Sequence, residues 1–316
     1  MTTISTSAWG KVMLAGEYAV LFGEKALVVG IDRQAICTFD AGASYKFFSK
    51  THAPHLQQNH HPLFGFAIKA CADAGFHAMA GTYTIDTSTF FDQTRGHKLG
   101  LGSSAAATTA LCKMILHQHG VRDEKKLFDC AFLAHRSLNG GQGSGVDIAA
   151  AVYGGLISYR FEHERPMIKR ERDNEMLQDL IIIDTGHAQS TQTFVAKVFD
   201  LKNRAPGFLA DFCQDSSKLC DELLTSTDVL AKAHIFEKLY ELLKLLGERA
   251  AIDIVSQAHA QIFHLAKLHG GSAKPSGAGG GDIWVTIIPN PHKDLFVKGI
   301  EELGFCVLKF NNVDAP

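Results

Sequence analysis

Three glycine-dense stretches are the feature that most constrains this chain. They lie at residues 100–102, at 140–145 and at 277–281, with the letters GLG, GGQGSG and GAGGG. Glycine adopts positive φ at little cost and has no Cβ, so backbone N–H groups around it can converge on an anion. A helix that starts just after such a loop adds its own unpaired N–H groups and the positive end of its dipole. The pattern predicts phosphate-binding loops.

The first stretch continues as GLGSSAAATTA, which predicts a helix directly after the glycines. Ser103 and Ser104 stand at its start, where their hydroxyls are available to phosphate or Mg²⁺. The alternative is a tight strand-to-helix turn in which a serine caps the helix. For this loop taken alone, both interpretations stay open.

Other nucleotide and metal motifs fit poorly. The P-loop pattern G-x-x-x-x-G-K-[ST] is absent. GLGSSA satisfies a relaxed G-x-G-x-x-A, but no second strand ending in an acidic residue follows it, which disfavours a dinucleotide fold. His259, His264 and His269 recur every five residues and so scatter around a helix. A structural metal is not expected.

Composition narrows the class of protein. The 316 residues suggest about two domains, and 46% hydrophobic residues suffice for a sizeable core. A net charge of −2 without a Lys/Arg-dense stretch disfavours nucleic acid as a partner. The chain lacks an apolar run long enough for a membrane span and an N-terminal secretory pattern. Its seven scattered cysteines, with no C-x-x-C pair, indicate reduced thiols in a cytoplasmic protein.

Strand and helix patterns are mixed without strict alternation, which predicts an α+β fold of two domains, 1–165 and 166–316. The predicted strands are 11–22, 26–32, 33–47, 81–90, LIIIDTG, DIWVTIIP and CVLKF. Helices are predicted at 63–74, 104–117, 124–138, 193–202, 231–250, 254–269 and 293–303, and after the loop at 141. The polar segment HAPHLQQNHHP and the stretch 270–281 are predicted as loops.

Taken in order, four segments resemble motifs of the GHMP kinase superfamily. GKVMLAGEYAVLFGEKALVVGIDR is similar to its first motif, GLGSSAAATTA to its second and KPSGAGGGD to its third. GSGVDIAAAVYGG resembles the loop that carries an acidic residue beside the substrate. The resemblance implies an N-terminal domain like the second domain of ribosomal protein S5, a ferredoxin-like C-terminal domain, and ATP along the second motif.

Within the superfamily, the chain resembles two kinase families of the mevalonate pathway. AGEYAVL, FFDQTRGHKLGLGSSAA and SGAGGGD are more similar to phosphomevalonate kinases. DTGHAQSTQTFVAKV resembles mevalonate kinases at least as well. Mevalonate kinases also carry a magnesium-binding glutamate about eleven residues before the acidic residue, where this chain has His135 and Arg136. The resemblance therefore implies phosphomevalonate as acceptor first and mevalonate second.

The resemblance also assigns roles to residues, with ATP and Mg²⁺ as cofactors. Lys11 and Asp147 are the catalytic pair, although a solvated strand-edge lysine and a helix N-cap are the plain alternatives. Ser104 is the Mg²⁺ ligand. The nucleotide is expected at Lys98, Gly100, Leu101, Gly102, Ser103, Ser104 and Ala105, with pairing to the acceptor's phosphate as the alternative for Lys98. The acceptor is expected at Glu17, Tyr18, Ser144, Gly145, Ser190, Thr191, Ser276, Gly277, Ala278 and Gly279.

A different class of function also stays open: a catalytically silent protein of this fold that binds a metabolite and regulates. Intact Lys11, Ser104 and Asp147 argue against it, because loss of activity should affect these residues first. Homoserine kinase and galactokinase fit the first motif poorly. A monomer or a homodimer is expected.

Overall fold

A computed structural model describes residues 3–51, 57–58, 62–141, 143–162, 165–172, 176–187 and 191–310, without the side chains of 57, 58, 176 and 191. Most of the predicted loop HAPHLQQNHHP lies outside these residues. Strands and helices are mixed, so the predicted α+β class is confirmed. Among the described helices, none combines the length and hydropathy needed to span a bilayer.

The strands are β1 (Ile4–Ala15), β2 (Ala26–Ala41), β3 (Lys46–Lys50), β4 (Gln57–Gln58), β5 (Gly81–Asp86), β6 (Leu156–Glu162), β7 (Arg165–Arg170), β8 (Leu180–Asp184), β9 (Ser272–Ser276), β10 (Ile283–Ile287) and β11 (Cys306–Leu308). The helices are α1 (Pro62–Asp73), α2 (Ser103–Gln118), α3 (Glu124–Leu138), α4 (Val146–Tyr153), α5 (Met176–Asp179), α6 (Thr191–Arg204), α7 (Pro206–Thr225), α8 (Val229–Ala250), α9 (Ala260–Leu268) and α10 (Lys293–Glu302).

The chain divides into two compact units that interleave along the sequence. The first contains the segment up to Lys11 and Val29–Ile157, and the second contains Val12–Val28 and Ser158–Phe310. The boundary at 165 remains a prediction about domains in the linear sequence. The segment 12–28 shows why such a boundary is hard to draw, since a short N-terminal stretch belongs with the C-terminal residues.

The first unit places helices beside a sheet. Strand order runs β4-β3-β5-β2, with β1 also paired to β2. β5 pairs antiparallel with β2 and parallel with β3. Helix α2 packs against α1, α3 and α4, and most of its residues, many of them small, are buried. This buried helix holds the second glycine-led motif in place.

The second unit contains the four-stranded antiparallel sheet β11-β8-β10-β9 and the strand pair β6-β7. Numbered along the chain, the four strands have the order 4-1-3-2 of a ferredoxin-like sheet, with α6 to α9 inserted between the first two. One apolar cluster joins this sheet to α8, α9 and α10 through residues such as Trp284, Tyr240 and Phe296. A second cluster joins Tyr18 and Ala19 to α6, α7 and α8.

The first predicted strand, 11–22, is wrong in its second half. β1 ends at Ala15, and Ala19–Phe22 forms a 3-10 helix. Gly16 has φ of 88°, and a Cβ there would lie 2.4 Å from the Cα of Ala26. Tyr18 also has a positive φ, of 61°. The chain turns sharply at this point, although its apolar residues alone suggest a continuous strand.

Other elements were mispredicted for reasons of tertiary packing. Residues 272–276 form the buried strand β9 instead of a loop, because they pair with β10. Helix α9 starts at Ala260 instead of 254, after turns closed by bonds such as His259 N–H to Ser256 O. The prediction omits β6, β7 and α7. Pro206 begins α7 at a first-turn position, where proline is favourable although Pro-Gly resembles a turn.

An ion pair lies inside the second unit. Lys274 on β9 donates a hydrogen bond from Nζ to the Glu17 carboxylate, and the two side chains are 0% and 1% exposed. Lys274 Nζ also donates to the Pro275 carbonyl at 2.8 Å and lies 5.9 Å from the ring centroid of Phe236. Because two buried charges must be paired, each side chain fixes the place of the other.

Replacing Lys274 by methionine should destabilise the protein strongly. The variant leaves the Glu17 carboxylate buried without its cation, which costs about 3–5 kcal/mol of unfolding free energy. The double variant Glu17→Gln/Lys274→Met should recover part of this loss, because no unpaired charge remains. Urea unfolding followed by circular dichroism measures both.

The control is Lys125→Met, which removes the exposed pair Lys125–Asp129. It should cost less than about 1 kcal/mol. A Lys274→Met variant no less stable than this control would contradict the structural importance of the buried pair.

Candidate active site

Lys11 lies beside the turn that precedes α2. Its backbone N–H donates to the Leu101 carbonyl at 2.9 Å, which ties β1 to that turn. The residue is 9% exposed, so its aliphatic chain is largely covered while its ammonium reaches a polar site. The alternative of a solvated strand-edge lysine is wrong.

Gly102 is the N-cap residue of α2, with φ of 81°. A Cβ at this position would lie 2.9 Å from Cγ of Lys11. Glycine is therefore needed twice, for the left-handed backbone and for the space that the lysine chain occupies. The sequence motif requires glycine here for a physical reason that spacing alone does not reveal.

The start of α2 presents backbone donors. The first helical hydrogen bond runs from the Ala106 N–H to the Gly102 carbonyl, so the N–H groups of Ser103, Ser104 and Ala105 precede it. These groups and the helix dipole favour an anion at this end. Since Gly102 is the cap, the alternative of a serine N-cap is wrong.

The side chains of this segment differ in burial. Ser103, Leu101 and Ala105 are buried, and Ser104 is half-buried. The Ser104 carbonyl accepts a bond from the Thr108 hydroxyl at 2.9 Å. Ser104 is therefore the more exposed of the two serines at this helix start.

Asp147 lies in the first turn of α4, which packs against α2. Gly145, with φ of 87°, is the N-cap of α4, so the alternative of Asp147 as an N-cap is wrong. One carboxylate oxygen, Oδ1, lies 3.4 Å from Nζ of Lys11, and the side chains are 33% and 11% exposed. A carboxylate in the first turn of a helix is also favoured by the helix dipole. Strand β1, the turn before α2, and helices α2 and α4 thus bring Lys11, the second motif and Asp147 together.

Neighbouring side chains lack a carboxylate at the position where mevalonate kinases carry a glutamate. His135 stands there, and burial lowers the pKa of its imidazole, while the Asp147 charge partly opposes this effect. The exposed Arg136 donates from Nε to the Gly141 carbonyl at 2.7 Å and so closes the loop after α3. These two side chains do not offer the oxygen ligands that Mg²⁺ prefers.

The remaining candidate residues of the first unit lie on the segments that precede α2 and α4. The Ser144 hydroxyl accepts a bond from the Val146 N–H at 3.4 Å and so helps to start α4. Lys98 is exposed, and its backbone forms an isolated antiparallel β-bridge with Phe91. Its ammonium has no ion-pair partner within the part of the chain that the structure describes. Gly100 is half-buried in the turn between Lys98 and α2.

In the second unit, the first and third motifs meet. The Ser276 hydroxyl accepts a bond from the Met13 N–H at 2.9 Å, and the Tyr18 hydroxyl donates to the Ala278 carbonyl. With the Glu17–Lys274 pair, this makes three ties between the two motifs. One carboxylate oxygen of Glu17, Oε1, and the hydroxyl of Tyr18 are thus bound to protein groups.

The glycine loop, residues 277–281, is fixed by close backbone approaches. Gly279 has φ of 74°, and a Cβ there would lie 2.5 Å from the Ile254 carbonyl oxygen. The Gly280 N–H donates to that carbonyl at 2.8 Å. Gly277 also has a positive φ, of 82°. The loop therefore has one defined shape, which side chains at these positions would disturb.

Two candidates fall at the edge of what is described. Ser190 lies outside the described residues, and so does the side chain of Thr191, which begins α6. Their contact with the acceptor stays a prediction.

Sequence reasoning missed Lys274. Its signal was a single lysine beside a glycine loop, in a stretch SAKPS otherwise made of small residues. A lone Glu17 inside the apolar stretch AGEYAVL offers the matching negative charge. Two opposite charges in apolar surroundings would have predicted a buried pair, because each alone is too costly to bury.

Part of this site lies in a segment that matches a known family model. Residues 67–155 match the family model described as the GHMP kinases N terminal domain. The matched segment contains both α2 and α4, and with them Gly102, Ser104 and Asp147.

Relatives match most of the chain. Phosphomevalonate kinase of Saccharolobus solfataricus is 28% identical over 294 residues, which cover 88% of each protein. Mevalonate kinase of Methanothermobacter thermautotrophicus is 29% identical over 292 residues, again 88% of each.

The fold has a solved counterpart in Streptococcus pneumoniae phosphomevalonate kinase, whose structure contains phosphomevalonate and AMPPNP. Its TM-score is 0.83 at 20% identity, covering 98% of this chain and 100% of that chain. The resemblance to the GHMP kinases is confirmed, and the model of their N-terminal domain matches residues 67–155.

Proposed function

We propose that this protein is a phosphomevalonate kinase, which transfers the γ-phosphoryl group of ATP to phosphomevalonate and yields diphosphomevalonate. The observation that carries the proposal is the Lys11–Asp147 pair, set against the start of α2 by Gly102. Similarity to a phosphomevalonate kinase over 88% of each protein supports the acceptor.

Phosphoryl transfer needs positioning and charge neutralisation more than covalent work by the protein. The N–H groups of Ser103, Ser104 and Ala105 bind phosphate oxygens of ATP. Lys11 offsets negative charge on the transferred group, because its ammonium lies in a partly covered site where screening by water is reduced.

Mg²⁺ fits the oxygen chemistry of this helix start. The hydroxyl of the half-buried Ser104 would hold Mg²⁺. The Asp147 carboxylate lies 3.4 Å from Nζ of Lys11 and is therefore engaged by the lysine ammonium. Bound Mg²⁺ supplies charge neutralisation on phosphate oxygens. His135 and Arg136 supply no second oxygen ligand.

Asp147 acts here through Lys11. The second pKa of a phosphate monoester is near 6, so the acceptor oxygen is mostly ionised at neutral pH and needs no base. The Asp147 carboxylate holds the ammonium of Lys11 at 3.4 Å and keeps it facing the reacting phosphate. An alcohol acceptor would need the carboxylate itself to take a proton.

Mevalonate kinase is the second candidate. The 29% identity to an archaeal mevalonate kinase favours it. The absence of a carboxylate at 135 and 136 favours the phosphate acceptor, since a phosphate needs cations nearby more than a second acidic group. A silent metabolite-binding regulator is disfavoured by the intact ion pair.

Localisation and assembly are part of the same proposal. All seven cysteines are free thiols and six are buried, which suits the reducing cytoplasm. We infer that the enzyme acts there on small molecules, as a monomer or a homodimer.

The direct test is ADP release by purified protein, offered phosphomevalonate and mevalonate separately. Turnover of phosphomevalonate with little turnover of mevalonate is expected. Turnover of mevalonate alone would establish the second candidate. ATP binding without turnover of either would favour the regulator.

Asp147→Asn should slow phosphomevalonate turnover by less than about 10²-fold, because the acceptor supplies its own charge. The residual rate should rise with pH through about 6, the second pKa of the acceptor. Steady-state kinetics between pH 5 and 8 measure both effects.

The matched control is Asp123→Asn, at the N-cap of α3, which should leave the rate unchanged. A loss of about 10⁴-fold in Asp147→Asn, with ATP affinity intact, would mean that Asp147 is a general base. That result would oppose the phosphate-acceptor mechanism.

Lys98→Ala should raise the KM for phosphomevalonate and leave the Tm within about 1 °C, because an exposed lysine contributes little to stability. With rising salt concentration, the KM of the parent enzyme should also rise more steeply than that of Lys98→Ala, since the attraction between Lys98 and the substrate phosphate is screened over about 8–10 Å. Lys125→Ala is the control. Equal KM values in Lys98→Ala and the parent would remove Lys98 from the site.

Ser104→Ala should raise the Mg²⁺ concentration needed for half-maximal activity and lower kcat. Because Gly102 is the cap and alanine suits a helix, the Tm should not fall. Ser137→Ala, on α3, is the control helix serine. An unchanged Mg²⁺ dependence would exclude Ser104 as a ligand.

A further inference from the structure

The peptide between Ala278 and Gly279 is held from one side. The buried Tyr18 hydroxyl donates to the Ala278 carbonyl. In a trans peptide, the C=O and the following N–H point in opposite directions. The described part of the chain contains no cis peptide. The bond to Tyr18 therefore aims the Gly279 N–H away from the tyrosine.

Without that bond, this peptide could turn over easily. Rotation of this peptide changes ψ of Ala278 and φ of Gly279, and glycine crosses between positive and negative φ at little cost. The next N–H, of Gly280, is already bound to the Ile254 carbonyl. The contacts with Ile254 fix Gly279 and Gly280 on one side, and the Tyr18 hydroxyl holds the carbonyl end of the peptide that carries the Gly279 N–H.

Tyr18 itself cannot easily move. Its ring is buried in the cluster with Val198, Leu243 and Leu246, and 4% of the residue is exposed. Its φ of 61° is strained for a residue with a side chain. Such strain persists only when neighbours over-determine the position, as the buried Glu17–Lys274 pair does one residue earlier.

The hydroxyl is also a dependable donor. Burial, and to a smaller degree the charge of Glu17, raises the pKa of Tyr18 above its ordinary value. The group stays protonated at neutral pH, and a carbonyl oxygen can only accept from it.

We propose that Tyr18 is a positioning residue that orients the Gly279 N–H to donate to a phosphate oxygen of a bound substrate. This revises the expectation that Tyr18 contacts the substrate itself. The consequence for turnover rests on the proposed function, whereas the claim about the loop does not. The Glu17–Lys274 pair and the bond from Met13 N–H to Ser276 support the same loop from its leading strand.

The test variant is Tyr18→Phe, which keeps the ring and removes the hydroxyl. The control is Tyr83→Phe in the first unit, which removes a buried hydroxyl bound to the Met79 carbonyl at 2.8 Å and to the Gln118 side chain. The control should lose at least as much stability as Tyr18→Phe. Only Tyr18→Phe should alter the glycine loop.

Hydrogen exchange measures the loop without any assumption about activity. In Tyr18→Phe, amides of residues 277–281 should exchange about tenfold faster or more, because the Gly280 bond opens more often. Exchange equal to that of Tyr83→Phe would overturn the positioning claim.

Kinetics then test the consequence. In Tyr18→Phe, kcat/KM should fall by about tenfold or more, as for loss of a hydrogen bond to a charged group. A rise in the KM for phosphomevalonate places the phosphate on the acceptor, and a rise in the KM for ATP places it on the nucleotide. Unchanged kcat/KM values would overturn the catalytic consequence. A parent enzyme inactive on both acceptors would defeat the proposed function, and hydrogen exchange would still decide the loop claim.

Discussion

The close approach of Lys11 to Gly102 is the constraint on which the candidate site depends. The lysine chain occupies the volume that a Cβ at 102 would need, with Cγ only 2.9 Å from that position. The same glycine turns the chain into α2 with φ of 81°. Because Gly102 has no side chain, the Lys11 ammonium can lie at the start of α2. The 3.4 Å contact of Lys11 with Asp147 adds that carboxylate to the same site.

In the second unit, hydrogen bonds and a buried ion pair fix the glycine loop. Its glycine loop has no side chains to hold it, so neighbouring groups provide the restraint: the Ile254 carbonyl, the Ser276 hydroxyl and the Tyr18 hydroxyl. Glu17 and Lys274 neutralise each other in the core beneath. Residues of the first motif therefore stabilise the third motif, which explains why polar residues occur in the apolar stretch AGEYAVL.

Much of this was predictable because it depends on local chemistry. The glycine loops and the helix over 124–138 follow from residue type and spacing. The need for glycine at 102 depends on the Lys11 chain, which spacing does not reveal, and the role of Ser104 rests on the resemblance of the second motif to GHMP kinases. The sharp turn at Gly16 and the strand β9 do not follow from spacing either, since each depends on a distant partner, Ala26 or β10. The pairing of Glu17 with Lys274 joins residues 257 positions apart, so it can be inferred only by matching two isolated charges in apolar stretches and not from either stretch alone.

The central claim is that a phosphate oxygen, and not an alcohol, receives the phosphoryl group. The most direct measurement is the ³¹P NMR spectrum of the phosphorylated acceptor, formed from ATP and phosphomevalonate and separated from ADP and ATP. A phosphate-to-phosphate transfer predicts two phosphorus resonances split by mutual coupling, from a new P–O–P bond. A product containing two separate phosphate monoesters, each an uncoupled signal, would contradict the account.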